Sequence, residues 1–187
     1  MTRLARTLAV VLAAGAVVVP ATAATAAAPE PGSGSLHGSG RVVFPPTPAD
    51  EVWFSVDAHA IYAAADGGPF PSRSWGTMRV SHRFTDPEPA DVWYTLTVDC
   101  LMTGGHTATV TGIVNAAAPG AENLIGQRIG FSVADLGRRD EVGFQVGAGE
   151  CTAPATYFSV VEGGYQVRDG DHWPAPVTPP SARFGGL

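Results

Sequence analysis

Apolar and polar positions alternate with a period of two along most of the chain, the mark of extended segments with one buried face. From Glu51 onward, Val52, Phe54, Val56 and Ala58 fall on one side, with Trp53, Ser55, Asp57 and His59 on the other. Met78, Val80 and Phe84 alternate with Arg79, Ser81 and Arg83 in the same way. The clearest run sets Val92, Tyr94, Leu96, Val98 and Cys100 against Trp93, Thr95, Thr97 and Asp99. Shorter alternations cover 108–114, 129–133 and 142–146, and with the flanking segments 36–44 and 157–167 they predict about eight strands. Gly, Pro, Asn or Asp bounds each run, as strand ends require. The links at Thr103-Gly104-Gly105 and at 136–139 are short enough for hairpins, so neighbouring strands are expected to be antiparallel. The prediction is an all-β domain over 36–170, closed as an antiparallel barrel or stacked as a sandwich; the pattern leaves both open.

The two ends of the chain read differently. Arg3 and Arg6 precede a short stretch over 8–19 made almost wholly of Leu, Ala and Val, and small residues follow to Ala28. That order is a secretory signal peptide, with Ala24-Thr25-Ala26 as its cleavage motif, so residues 1–26 are expected to be removed. The apolar stretch is about 12 residues, short of the roughly 20 that a spanning helix needs. Residues 27–35 and the tail 171–187, with Pro174, Pro176, Pro179 and Pro180, carry little apolar surface and are expected to be a flexible linker and a flexible tail.

Charge then limits the partners. Of the 11 basic residues, all arginine, two precede the cleavage site; 9 then face 17 carboxylates, and the formal charge moves from −6 to about −8. Nucleic acid and anionic lipid surfaces need a basic patch, so neither is an expected partner, and no stable membrane insertion is expected after cleavage. The two cysteines, Cys100 and Cys151, both lie in the exported part and are expected to pair as one disulfide.

Three stretches carry a resemblance: Val98-Asp99-Cys100-Leu101, then 104–112 (GGHTATVTG), then 131–137 (FSVADLG) with Asp140. Together they resemble uncharacterised secreted all-β proteins of actinomycete-type bacteria. The resemblance covers about a third of the mature chain and implies fold and location; it implies no activity or substrate.

Candidate chemistry is sparse. His82 and His106 fall in the apolar phase of their strands, and Asp135 continues the inward phase of Ile129, Phe131 and Val133. Two imidazoles and a carboxylate on one inner surface are the residue types of a metal site or an acid–base pair. Asp135, Asp140 and Glu141 enclose a turn and invite comparison with a calcium loop, but their spacing does not fit one, and turn-capping carboxylates are the expectation. Asp169-Gly170-Asp171-His172 forms a second acidic turn. No G-x-S-x-G elbow occurs. Asp57 and His59 share a strand face, while His37, His59 and His172 read as scattered and solvated. Trp53 and Trp93 stand in outward phases and form a candidate binding face for a glycan or a protein; Trp75 and Trp173 sit near loops.

The functional expectation is a secreted, extracellular, non-enzymatic β-domain binding or interaction protein, with no cofactor and with a protein, a glycan or a small apolar ligand as partner. A hydrolase or metal-dependent enzyme using His82, His106 and Asp135 is the alternative, and a structural envelope protein is the third.

Overall fold

A computed structural model describes residues 32–63, 70–85 and 90–169 of the protein. Eight strands follow in order: β1 (Gly32–Val42), β2 (Glu51–Tyr62), β3 (Arg73–Phe84), β4 (Ala90–Gly104), β5 (Thr107–Ala117), β6 (Arg128–Ala134), β7 (Glu141–Val146) and β8 (Phe158–Asp169). A single 3₁₀ turn, Glu122–Leu124, lies between β5 and β6. Each strand pairs antiparallel with the next and β8 returns to β1, so the sheet closes as a barrel. Of the two predicted arrangements, the barrel is the one formed. Among the described residues no helix is long and apolar enough to cross a membrane. The predicted signal peptide and tail, with His172 and Trp173, lie outside the described residues.

The predicted linker is partly a strand. Gly32 to Ser35 belong to β1 and pair with β2 as far as Tyr62. The sequence there is all Gly and Ser, which looks like a linker, but the glycines have a packing role. Gly34, Gly38 and Gly40 share the inner face of β1 with Leu36 and Val42, and a Cβ on Gly40 would stand 2.8 Å from the Tyr165 ring. The space they leave lets Tyr165 reach across the interior and donate a hydrogen bond to the Phe54 carbonyl at 2.8 Å. The ring also meets Phe131 edge-on at 5.9 Å, and Phe131 stacks on Phe54 at 5.3 Å. Burial raises the Tyr165 phenol pKa above its ordinary value, so the hydroxyl stays a donor.

A β-bulge redirects β4. Val98 pairs with Gly112 but Cys100 pairs with Thr111, which leaves Asp99 as the extra residue. Beyond it Leu101 takes the inward phase and joins the core, while Cys100 turns to the outer side. There it bonds Cys151, with the two Cα atoms 5.3 Å apart. The segment from Ala148 to Thr156 thus straps the outside of β5, β6 and β7. It lies so close that a Cβ on Gly130 would meet the Thr152 carbonyl, and one on Gly143 the Ala155 carbonyl. Ser132 Oγ donates to the Pro154 carbonyl at 2.6 Å, and Asp99 accepts from both Thr111 Oγ1 and Arg128 Nε.

The barrel has one short seam. β7 and β8 share two residue pairs, Glu141 with Ser159 and Val142 with Phe158. Beyond them Tyr157 completes the β7 edge: its hydroxyl donates to the Phe144 carbonyl at 2.6 Å and accepts from the Phe144 amide at 3.3 Å.

Candidate functional site

At the end of the barrel where β2 and β4 begin and β1 and β3 finish, the core stops short of the rim. What remains is a cup of about 180 Å³. Val42 and Phe44 form one wall, Val52, Phe54 and Val80 the floor, Val92 and Tyr94 the next wall, and Phe144 with Phe158 close it at the seam. The period-two pattern places these side chains: Val52, Phe54, Val80 and Tyr94 are inward residues of regular strands. His82 lines the cup as well, and it and Tyr94 bring the side-chain groups there that can hydrogen-bond.

His82 is held from two sides. Its ring stacks on Phe84 at 3.9 Å and meets Phe44 edge-on at 5.9 Å. Its Nε2 lies 2.8 Å from Asp50 Oδ2, and Asp50 is 4% exposed. The Thr85 amide and hydroxyl donate to Asp50 Oδ1. Two successive turns, Thr47 N to Phe44 O and Asp50 N to Thr47 O, fold the Pro-rich loop back so that Asp50 arrives there. The nearby Thr47 hydroxyl, though off regular hydrogen-bond geometry, together with His82 and Thr85 brings the Asp50 carboxyl to a pKa of about 2 from an ordinary 3.8. The carboxylate can only accept, so the His82 proton facing it sits on Nε2. Among the described residues lining the cup there is no Ser, Thr or Cys to act as a nucleophile. The arrangement can hold a small apolar molecule and meet one polar atom of it.

The predicted grouping of His82, His106 and Asp135 is not formed. His82 faces Val92 near the start of β4, whereas His106 stands exposed in the turn after the end of β4, roughly 40 Å of strand away. It is not in a strand, because β4 runs on through Gly104 and the turn falls at Gly105 and His106, later than the predicted link at Thr103-Gly104-Gly105. Asp135 does lie near His106, and both line a groove of about 470 Å³ at the far end with Gln166 and Arg168. Its carboxylate accepts the Val167 amide at 3.1 Å. Asp140, 4% exposed, accepts the amides of Leu136 and Tyr165, and Glu141 accepts from Thr156. The acidic turn therefore caps donors, as expected of it. Asp169 likewise accepts from Thr103 Oγ1 and the Gly105 amide.

No family model, curated protein or solved structure matches this chain.

Trp53 and Trp93 point outward, as predicted, but are half-buried and stand on either side of Ser81, two strand spacings or roughly 10 Å apart. The Arg79 guanidinium covers Trp93 at 4.5 Å. The more exposed indole is Trp75, at 39%; it belongs to β3 rather than to a loop. His37 and His59 are not scattered. Register sets His37 directly against Asp57, and alternation puts His59 beside both. No single-strand spacing could reveal that cluster, since His37 and Asp57 meet only through the register of β1 on β2.

Proposed function

We propose that this protein is an exported, non-enzymatic binding barrel whose cup takes a small, largely apolar molecule carrying one hydrogen-bonding atom. The cup carries this proposal. Barrel mouths are a recurrent place for ligands, and an apolar recess open at a rim is where binding energy is available. Its 180 Å³ is below the volume of drug-sized sites and close to that of an apolar cavity that takes up benzene, so the ligand class is a single ring or a short aliphatic chain. His82, oriented by Asp50, and Tyr94 supply the polar contact. Export is supported by the order of residues 1–26 and by the disulfide, which suits an oxidising compartment.

Calorimetric titration with p-cresol and with toluene tests this. Saturable binding at one site is expected for both, with a Kd of about 1 mM or tighter and p-cresol ahead by about fivefold, the value of one net hydrogen bond. Val92→Trp, which fills the cup from a half-buried rim position, is expected to abolish binding while leaving thermal unfolding intact. Absence of saturable binding by either probe, or equal binding by the folded Val92→Trp variant, overturns the proposal.

A further inference from the structure

We propose that His37, Asp57 and His59 form a surface site for one divalent cation of the zinc class, on the outer wall of β1 and β2 and independent of the cup. His37 and Asp57 are directly opposed in the antiparallel ladder, and His59 is two residues beyond Asp57 on the same outward face. His37 Nδ1 lies 2.8 Å and His59 Nε2 3.1 Å from the same atom, Asp57 Oδ1. All three donor atoms fall within 4.8 Å of one another. Two ligands on a tetrahedral zinc stand about 3.3 Å apart, so each His–Asp57 separation needs to widen by only a few tenths of an ångström for an ion to enter.

Stability does not account for the cluster. The three side chains are 42%, 64% and 35% exposed, and ion pairs at such exposure add little to stability. Two of the chain's five histidines nonetheless converge on one carboxylate oxygen. The rings are also held in place: His37 meets His59 edge-on at 4.9 Å, and His59 stacks on Trp75 at 5.3 Å and 14°. Arg73 in turn lies over Trp75 at 5.2 Å. Two imidazoles with one carboxylate select zinc-like ions, whereas calcium needs six or more oxygens and finds one side chain that offers them here. Metal binding replaces the two N–H groups that face Asp57: each neutral ring carries its proton on the other nitrogen, and the remaining coordination position is left to water.

The test uses untagged, disulfide-intact protein stripped with a chelator, titrated calorimetrically with Zn²⁺ and separately with Ca²⁺. One Zn²⁺ per chain and no saturable Ca²⁺ uptake are expected, with the His37 and His59 imidazole NMR signals shifting on addition of Zn²⁺. His37→Gln and His59→Gln are each expected to weaken Zn²⁺ at least tenfold, as is Asp57→Asn, which keeps both rings. His106→Gln is expected to change nothing. No saturable Zn²⁺ uptake, or uptake undiminished in a folded His37→Gln/His59→Gln variant, overturns the site.

Discussion

Tyr165 spans the interior only because β1 presents glycine where it passes, and its hydroxyl closes on the Phe54 carbonyl. Tyr165→Phe leaves that buried carbonyl without its donor and is expected to cost about 1–3 kcal/mol, read as a lower urea midpoint at unchanged slope. Asp50 makes a pH-dependent contribution whose sign follows from its lowered pKa. The folded value of about 2 lies below the ordinary 3.8, so the ionised form stabilises the fold. That contribution is complete above pH 3.8 and is lost as pH falls through about 2. Between pH 5 and pH 2.5 the wild type is therefore expected to lose more stability than Asp50→Asn; equal losses in parallel urea titrations would remove Asp50 as the cause. Neither residue announced its role in the sequence. Asp50 lies outside every alternating run, and nothing in the alternation sets Tyr165 apart from its strand neighbours. Trp53 and Trp93 were legible as outward residues because alternation fixes the face; what alternation cannot give is the strand between them.

At the scale of elements, periodicity gave the eight strands and the short links their antiparallel order; beyond the misplacing of Trp75 and His106 at strand ends, two departures have identifiable causes. The Gly and Ser run of β1 lacks the apolar residues that periodicity counts, so the strand was expected to start four residues late, at Leu36 rather than Gly32. In β4 the alternation runs unbroken through Asp99, while the backbone inserts a bulge there and turns Cys100 outward. The cysteine pairing was legible from the count alone; its side of the sheet was not. An outer disulfide holds the strap rather than the core, with a loop of 51 residues between its ends. Replacing both cysteines by alanine is expected to cost up to about 4 kcal/mol on the chain-entropy model. The barrel far-ultraviolet signature should persist, since the ladder bonds do not pass through the sulfurs. Alkylation of the denatured, unreduced wild type is expected to label neither thiol, and stoichiometric labelling would contradict the bond.

For the whole molecule, the seam between β7 and β8 is where the closed sheet has the fewest pairs, and two of the cup's aromatic residues, Phe144 and Phe158, flank it. Tyr157→Phe removes the hydroxyl that satisfies the β7 edge and is expected to speed amide hydrogen exchange at Phe144 about fivefold, while β2 and β3 amides stay unchanged. Uniform acceleration would mean that the ring supports the whole barrel instead. Gly34 sits opposite Asp169, so the polypeptide enters and leaves the barrel side by side, at the end that holds His106 and Asp135 and away from the cup. Anything joined before β1 or after β8, whether a fused protein or a solid support, therefore attaches at one pole and leaves the opposite mouth facing outward. The same adjacency makes the barrel a natural circle: a short bridge between those two strands would allow the chain to be reopened at the Gly104–Thr107 turn with every ladder kept.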